Sequence, residues 1–406
     1  MDNRCRICDG MVKGAVDLGM QPRANAFPLP GETSDEFFFR LTVGMCDSCT
    51  MVQLLEDIPQ EVRYHDGYPY HASGSAGHRR HFEGIAETFL EAELTGRDPF
   101  IAEIGSNDGV MLAKIAEAGV RHLGVEPSRE VAELSMSRGV QVLPEFFDES
   151  TAERICAEHG HADVVFGANA IAHISHLASV LRGVERLLAR DGVFVFEEPY
   201  LGSVVAQTAF DMLYDEHSFV FSVRAIQAAA ERFGLELVRV EHVPLHGGSM
   251  RYTLARPGQR PVSPAVHEWR GLEDAGRLAE HATLEDFGRR ARRIGDDLAG
   301  LLGDLRAKGH RVVGYGAPAK AATVTNYCGI GPDVVPFVCD STPSKQGRVI
   351  AGTHIPVKSP KAFSDDYPDY ALLFAWNHAE EIMAKERKFS ERGGRWILYV
   401  PEVHIV

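Results

Sequence analysis

The stretch of the sequence with the highest density of reactive side chains is the run Tyr214-Asp-Glu-His217. It places a phenol, two carboxylates and an imidazole in four consecutive positions, between Leu213 and Phe219. Imidazoles and carboxylates carry out general acid–base catalysis, and a phenol can donate to a developing oxyanion. A solvated loop is the alternative, but a charged surface loop does not normally carry an aromatic residue and a histidine between apolar neighbours. The run therefore favours catalysis.

A second stretch that could bind a ligand is the glycine-containing segment from Ile101 to Val110. Its motif E-x-G-x-N-x-G begins at Glu103, within an apolar run, and precedes a helical pattern. Glycine lets a ligand approach the backbone, and a helix start presents free N–H groups. The spacing is not that of a dinucleotide motif, because Asn107 stands where a glycine is needed. An ordinary βαβ turn is the alternative, but the acidic Glu126 at the next strand end suits a ribose diol.

Four of the seven cysteines form two matched pairs, Cys5-x-x-Cys8 and Cys46-x-x-Cys49. Each pair places two thiolates on one tight turn, and two such turns make the tetrahedral sulfur cage that Zn²⁺ accepts. Four sulfurs leave no position for substrate, so the role should be structural. Redox thiols and free thiols are the alternatives, but a redox motif would not occur twice at matching spacing. We predict a structural zinc site.

The C-terminal third contains another candidate ligand loop, Gly314-x-Gly316. It follows a predicted strand and precedes a helix that carries Lys320 in its first turn, and Arg348 follows a later strand. Such a loop can hold an anion at a helix start. The alternative is a docking domain whose glycines only turn the chain. We favour binding of a substrate diphosphate, because both cations are suitably placed.

Several other side chains with chemical potential follow predicted strands. Phe146 could stack on an adenine ring, His173 follows the next strand, and Glu197 ends a fully apolar strand. Ligands of open α/β sheets gather at the carboxyl ends of the strands. The segment from Tyr64 to His81 is dense in Tyr, His, Gly and Ser, which predicts a loop that could close over a substrate or a linker whose rings pack locally.

Composition limits the function to a few classes. The 406 residues exceed a single ordinary core, and the hydrophobic and charged fractions, 45% and 24%, are typical of a globular protein. The formal charge of −15 argues against broad nucleic-acid binding. No apolar run approaches the roughly 20 residues of a membrane span, and the polar N-terminus does not read as a signal peptide. We expect a cytoplasmic monomer with no membrane partner.

The elements that position these residues predict an α/β protein with three parts. We assign residues 1–72 to a small zinc-binding domain, and residues 73–256 to a Rossmann-like core that ends in an antiparallel hairpin. The E-x-G-x-N-x-G motif of this core resembles the first motif of class I methyltransferases. Residues 257–406 are assigned to a second Rossmann-like domain, which opens with a long helical pattern from Leu284 to Leu305 and includes a strand over Val334–Asp340. The proline-rich stretch from Arg256 to Ser263 is the predicted linker.

The whole chain resembles the S-adenosylmethionine-dependent sugar C-methyltransferases that act on nucleotide-linked 4-keto deoxysugars. The paired cysteines, the E-x-G-x-N-x-G loop and the G-Y-G-A-P-A-K motif after Val313 match the three parts of that family. The Y-D-E-H run and the H-G-G-S-x-R run from His246 to Arg251 are the most specific matches. The nearest resemblance is to the 3-C-methyltransferases of antibiotic sugar pathways, which use dTDP-3-amino-4-keto sugars or close relatives. It implies a site between the second and third parts, with the zinc away from the chemistry.

The resemblance implies three groups of site residues. The expected cofactor-binding residues are Glu103, Gly105, Asn107, Asp108, Gly109, Glu126, Pro127, Phe146 and Asn169. The expected substrate-binding residues are Tyr68, Glu197, His246, Arg251, Tyr315, Lys320 and Asn377. The catalytic residues would be His217, Glu216, Tyr214, His173 and Tyr68.

These catalytic roles follow from the substrate. Methylating carbon requires loss of a C–H proton, and a neighbouring 4-keto group turns the resulting carbanion into an enolate. His217 would be the general base at carbon 3, because neutral imidazole accepts protons at cellular pH. Glu216 would orient His217 or bind substrate. Tyr214 and Tyr68 would donate to the enolate oxygen, and His173 would support the same pocket.

Two other classes of function remain open at this point. The same cofactor loop could serve an O- or N-methyltransferase of a small metabolite, which needs no enolate. The chain could also be a non-catalytic protein that binds a nucleotide. Exchange of a substrate C–H with solvent would favour carbon chemistry, whereas tight binding without methyl transfer would favour the binding protein.

Overall fold

A computed structural model describes residues 3–59, Arg63 and residues 72–406 of this chain. The chain forms one antiparallel sheet and two mostly parallel sheets, which confirms the predicted α/β class. The predicted catalytic and substrate residue Tyr68 lies outside the described residues.

The N-terminal sheet is built from three consecutive strands, β1 (Val12–Pro22), β2 (Phe38–Cys46) and β3 (Val52–Leu54). Its fourth strand comes from far along the chain, because β3 pairs antiparallel with Phe219–Val220. The first cysteine pair precedes β1, Cys46 ends β2, and Cys49 lies in the turn before β3. The antiparallel pairing of β1 with β2 brings Val12 opposite Cys46, which collects both cysteine pairs at one end of the sheet.

The middle part alternates strands with helices. Its strands are β4 (Phe100–Ile104), β5 (Arg121–Val125), β6 (Val142–Leu143), β7 (Ala162–Ala168), β8 (Leu188–Pro199), β9 (Phe219–Val220), β10 (Glu236–Val243) and β11 (Ser249–Ala255). Its helices are α1 (Ala76–Ala92), α2 (Val110–Glu117), α3 (Arg129–Ser137), α4 (Glu149–His159), α5 (Leu177–Leu187), α6 (Leu201–Gln207) and α7 (Val223–Arg232). Helices α4 and α6 and strand β9 were not predicted from the sequence.

The middle sheet has the strand order β10-β11-β8-β7-β4-β5-β6. The strands from β8 to β6 are parallel, whereas β11 runs antiparallel to both of its neighbours. Strand β4 is entirely buried, as expected for a parallel strand with helices on both faces. The chain order reverses beside β4, since β5 lies on one side and β7 on the other. Such a switch point opens a crevice at the carboxyl ends of the strands.

The C-terminal part begins with two helices and continues as a third sheet. Its helices are α8 (Pro264–Ala275), α9 (His281–Ala307), α10 (Ala319–Tyr327), α11 (Pro360–Ser364), α12 (Ala379–Lys385) and α13 (Arg387–Glu391). Its strands are β12 (Val312–Tyr315), β13 (Val338–Cys339), β14 (Val357–Lys358), β15 (Tyr370–Leu373), β16 (Arg395–Leu398) and β17 (His404–Ile405). The strand order β14-β13-β12-β15-β16-β17 again reverses beside one strand, here β12.

Two details of the C-terminal part differ from the sequence prediction. The strand predicted over Val334–Asp340 forms only at β13, because Pro336 has no N–H and the N–H groups of Val334 and Val335 bond to Gly331 in a turn. Helix α8, capped by the side chain of Ser263, was not predicted. Helices α9 and α10 pack against β1, so the N-terminal sheet rests on the C-terminal part.

Candidate functional site

The switch points of the two parallel sheets open onto the same cavity. Its volume is about 410 Å³, and residues of all three parts of the chain line it. From the predicted set, the lining includes Glu103, Gly105, Asn107, Glu126, Pro127, Phe146, Asn169, His173, Tyr214, Glu216, His217, His246, Lys320 and Asn377. The structure therefore brings most of the predicted cofactor, catalytic and substrate residues together.

The loop between β4 and α2 forms the first wall of the cavity. Gly105 has a φ of +68°, and a Cβ added there would lie 2.6 Å from the Cβ of Ala170, so only glycine fits. The Glu126 carboxylate accepts from the backbone N–H groups of Asn107 and Ser128, at 3.0 and 2.9 Å. These contacts hold an acidic side chain at the end of β5 beside the loop.

Asp108 and Gly109 of this loop have structural roles instead of lining the cavity. Asp108 is fully buried, and its carboxylate accepts from Ser73 and lies 3.3 Å from Arg138 Nη1. Gly109 begins α2 with a φ of +73°. The side chain of Asn107 also accepts from the N–H of Ala72, at 2.8 Å. The loop thus anchors the Tyr- and His-rich segment at Ala72 and Ser73.

His217 faces the cavity with a defined tautomer. Its Nδ1 lies 2.6 Å from the carbonyl oxygen of Met212, which can only accept, so Nδ1 carries the hydrogen. Nε2 therefore keeps its lone pair. Burial lowers the pKa of His217 to about 4, so the ring is neutral at cellular pH. The ring centroids of Tyr214 and His173 lie 4.1 and 5.1 Å from the centroid of the His217 ring.

The two carboxylates before His217 are held by the N-terminal part. Asn25 Nδ2 donates to Glu216 Oε1 at 2.7 Å, and the N–H of Ala24 donates to Asp215 Oδ1 at 2.9 Å. Asn25 also lines the cavity. The sequence analysis missed Asn25, because nothing in the short segment after β1 indicates which carboxylate it meets.

Glu198 is a second residue that the sequence analysis missed. Its Oε1 accepts from the N–H groups of Ala170, Ile171 and Ala172, at 2.9, 2.7 and 3.1 Å. It therefore holds the 3₁₀ turn Ile171–His173 that aims His173 at the cavity. Burial raises the pKa of Glu198 to about 8. The signal was present in the sequence as a second carboxylate beside Glu197.

The opposite wall belongs to the C-terminal part and carries one buried and one partly buried lysine. Lys320 Nζ donates to Asn377 Oδ1 at 2.8 Å and lies 4.2 Å from the centroid of the Trp376 ring. Lys345, which also lines the cavity, donates to the carbonyl of Ala317 at 2.8 Å. Burial lowers the pKa of both lysines.

Asp211 joins this wall to the run from Tyr214 to His217. Its carboxylate accepts from Trp376 Nε1 at 2.7 Å and from the Tyr399 hydroxyl at 2.6 Å, and it lies 3.8 Å from Lys320 Nζ. Asp211 belongs to the 3₁₀ turn that leads to Tyr214. The same turn also holds the imidazole, since the carbonyl of Met212, the residue after Asp211, accepts from His217 Nδ1.

Three predicted substrate residues lie elsewhere. The side chain of Tyr315 points away from the cavity, and its hydroxyl donates to Glu386 at 2.8 Å. Successive residues of an extended strand point to opposite faces, and the next residue, Gly316, lies on the cavity side. Glu197 and Arg251 lie opposite each other on β8 and β11 and form an ion pair at 2.5 Å. His81 completes that cluster at 2.6 Å from Glu197. These corrections leave Lys320, Asn377 and His246 as the predicted substrate residues on the cavity.

Comparison with known families agrees with this geometry. Residues 5–64 match a family model described as "Putative zinc binding domain", residues 78–240 match "Methyltransferase domain", and residues 244–401 match "C-methyltransferase C-terminal domain". The C-methyltransferase NovU of Streptomyces niveus is 35% identical over 410 residues, which cover 100% of this chain and 97% of NovU. The chain belongs to the C-methyltransferase family. It is an S-adenosylmethionine-dependent C-methyltransferase, and the alternatives of an O- or N-methyltransferase and of a non-catalytic binding protein are set aside.

Solved structures give weaker likenesses to this C-methyltransferase. Magnesium protoporphyrin IX methyltransferase of Synechocystis, solved with bound S-adenosylmethionine, is 12% identical, with a TM-score of 0.33 over 44% of this chain and 80% of that one. The CcbJ methyltransferase of Streptomyces caelestis is 18% identical, with a TM-score of 0.33 over 43% and 89%. We draw no conclusion from likenesses at this level.

The residues of the first wall fit the cofactor of a C-methyltransferase. Glu103 lines the cavity, and its Oε2 has no hydrogen-bond partner within residues 3–59, 63 and 72–406. Burial raises the pKa of Glu103 well above its usual range, and an ammonium group nearby would favour the carboxylate. S-adenosylmethionine carries such a group on its methionine portion, and its ribose diol suits Glu126.

The four cysteines of the C-methyltransferase fit a zinc ion. The Sγ atoms of Cys5 and Cys49 are 3.5 Å apart, and Cys8 lies 3.4 Å from both Cys46 and Cys49. A tetrahedral ion with Zn–S bonds of 2.3 Å would separate its sulfur ligands by about 3.8 Å. No other group of three or more potential metal ligands occurs in the part of the chain that the structure describes. Among the described helices, none combines the length and apolar composition needed to span a bilayer.

Gly105→Ala should weaken binding of S-adenosylmethionine at least tenfold, as measured by calorimetry. The new methyl group meets Ala170, and alanine disfavours the left-handed backbone by about 1–2 kcal/mol. Gly84→Ala is the matched control, because Gly84 lies in α1 with nothing within 4 Å of an added Cβ. Unchanged affinity in both variants would show that this loop does not bind the cofactor.

The pH dependence of kcat/KM should reflect the low pKa of His217. The neutral imidazole, which is the predicted base, is present above a pH of about 4 and is lost as the pH falls through that value. We therefore expect kcat/KM to stay level from neutral pH to about pH 5, with circular dichroism as the check on folding. A loss of activity centred near the ordinary histidine pKa of about 6.5 would contradict this expectation.

Proposed function

We propose that this C-methyltransferase methylates carbon 3 of a dTDP-linked 4-keto deoxysugar, with a 3-amino sugar as the first candidate. The observation that carries the proposal is the neutral His217, whose Nε2 keeps its lone pair and whose side chain lines a cavity between the cofactor loop and a lysine-bearing wall. Carbon is nucleophilic only after a proton is removed, so the site needs both a base and a cation or donor for the oxyanion. We also propose a cytoplasmic location, and domains at 1–72, 73–256 and 257–406.

The proposed reaction begins with proton transfer to His217. The electron pair of the C–H bond at carbon 3 forms the C=C bond of the enolate, and the carbonyl π electrons move onto the 4-oxygen. Tyr214 donates to that oxygen, and Glu216, held by Asn25, fixes the substrate or the imidazole. S-adenosylmethionine, held by Glu103 and Glu126, would supply an electrophilic methyl group for carbon 3, with S-adenosylhomocysteine as the leaving group and the 4-keto group restored. The proton on His217 then returns to solvent.

The C-terminal wall would bind the anionic end of the substrate. Lys320 is a buried cation on that wall and Lys345 a partly buried one, and a diphosphate can replace the water that each has lost. The loop N–H of Ala317 is already bound to Asp340 at 2.7 Å, so the lysines, and not this N–H, are the expected ligands. His246, whose pKa burial lowers to about 3, is a neutral neighbour on the same cavity.

Incubation with S-adenosylmethionine and a panel of dTDP-4-keto sugars tests the proposal. Product mass shows whether a methyl group is added, and NMR distinguishes carbon 3 from carbon 5, which also neighbours the keto group. A parallel incubation in D₂O without S-adenosylmethionine should show exchange at the carbon that is later methylated. Absence of both methylation and exchange across the panel would reject the proposed substrate class.

A further inference from the structure

Arg6 lies between the two cysteines of the first pair, and its side chain contacts the residue that follows His217. It stands between Cys5 and Cys8, and its side chain is only 17% exposed. Its Nη2 donates to the carbonyl of Ser218 at 2.9 Å and to the carbonyl of Leu54 at 3.0 Å. Ser218 directly follows His217. One guanidinium thus connects the predicted zinc site to the residue next to the proposed base.

The backbone at Ser218 is held by several donors from the N-terminal part. Its carbonyl also accepts from the N–H of Leu54 at 3.0 Å, and its hydroxyl accepts from Arg63 at 2.7 Å. The Arg6 guanidinium carbon lies 4.8 Å from the centroid of the Phe219 ring, within reach of a cation–π contact. Ser218 itself is fully buried. This side of His217 is therefore fixed by β3 and by two arginines.

The other side of His217 is fixed within its own loop. Nδ1 donates to the carbonyl of Met212, which sets the ring rotation but not the position of the backbone. The backbone is held by the N–H bond of His217 to the carbonyl of Tyr214 at 3.0 Å, and beyond Ser218 by the pairing of β3 with β9, where Gln53 lies opposite Phe219. Arg6 connects the two paired strands, because one of its acceptors, Leu54, lies in β3 and the other, Ser218, directly precedes β9.

We propose that Arg6 is a positioning residue for catalysis, through which the cysteine cluster holds the His217 imidazole at its working position. The proposal rests on the proposed function, in which His217 is the base. A base acts only within about 2.6–3.2 Å of the proton that it takes, and a misplacement of about 1 Å can lower the rate about 10²-fold. The turn from Cys5 to Cys8 would then contribute to the chemistry as well as to folding.

Arg6→Ala tests this proposal in the full-length, zinc-loaded enzyme. We expect kcat and the rate of substrate C–H exchange to fall about 10²-fold, while zinc content, S-adenosylmethionine affinity and substrate KM stay near wild type. A methylguanidinium salt at a non-denaturing concentration should restore part of the exchange rate. Arg40→Ala is the matched control, because Arg40 is an exposed arginine of β2 that pairs with Asp17.

The outcomes separate the two proposals. Normal rates in Arg6→Ala, alongside a slow His217→Asn variant, would overturn the role of Arg6 and leave the proposed function intact. Equal losses of zinc, cofactor affinity and rate would assign Arg6 a structural role only and would also overturn the proposal. Full activity of His217→Asn would instead reject the proposed base. If Arg6→Ala is insoluble, Arg6→Gln, which keeps one donor group, should show an intermediate loss of kcat with zinc retained.

Discussion

Replacing His217 with asparagine is expected to lower kcat about 10²- to 10⁴-fold, the usual contribution of one general base. Asparagine can still donate to the carbonyl of Met212, so the loop should keep its position. What it lacks is the basic lone pair at Nε2. Because His217 lies on the catalytic side of the cavity, binding of S-adenosylmethionine should stay near wild type.

The measurements are single-turnover methyl transfer, solvent exchange of the substrate C–H, and calorimetry with S-adenosylmethionine. His267→Asn is the matched control, because His267 is exposed on α8. Both rates should fall together in His217→Asn and neither in the control. Methyl transfer that persists while exchange stays at the wild-type rate would assign the base to another residue.

Replacing Cys5 with serine is expected to remove zinc and to make the protein poorly soluble. Cys5 is buried, with its sulfur 3.5 Å from that of Cys49, and serine is a poor ligand for Zn²⁺ in a sulfur cage. Zinc binding contributes about 10–16 kcal/mol to the folding of small zinc-finger peptides, whereas whole proteins are stable by about 5–15 kcal/mol. The N-terminal sheet should therefore not hold together without the ion.

Metal content by mass spectrometry and thermal unfolding measure this effect. Cys156→Ser is the control, since Cys156 is a partly buried cysteine on α4, outside the cluster. The control should bind zinc in full and unfold at the wild-type temperature. A Cys5→Ser protein that folds normally and is fully active without metal would refute the structural role of zinc.

Local patterns in the sequence predicted the parts of the fold that local forces determine. The apolar run of β4, the turn at Gly105 and the repeat of buried residues along α9 each follow from a short-range period. The zinc-binding role of the cysteine pairs was equally predictable, because tetrahedral metal geometry favours the fixed spacing of two residues between paired cysteines. In each case the partners lie close in sequence or repeat a recognisable unit.

Contacts between distant segments were not predictable in the same way. Asn25 meets Glu216, and β3 pairs with β9, only because three parts pack against one another. The position of Tyr315 was mispredicted for a different reason. A motif indicates that a residue lies at the end of a strand, but not which face of the sheet its side chain occupies. Its aromatic ring packs against Phe363 and Trp396, away from the cavity.

The late position of β9 in the sequence has a consequence for folding during translation. During translation, β1 to β3 leave the ribosome long before Phe219 and Val220 are made, so β3 remains an unpaired edge in the meantime. An exposed edge strand invites association with other nascent chains. The edge of β3 is covered only when the segment that follows His217 has been made and β9 completes the sheet.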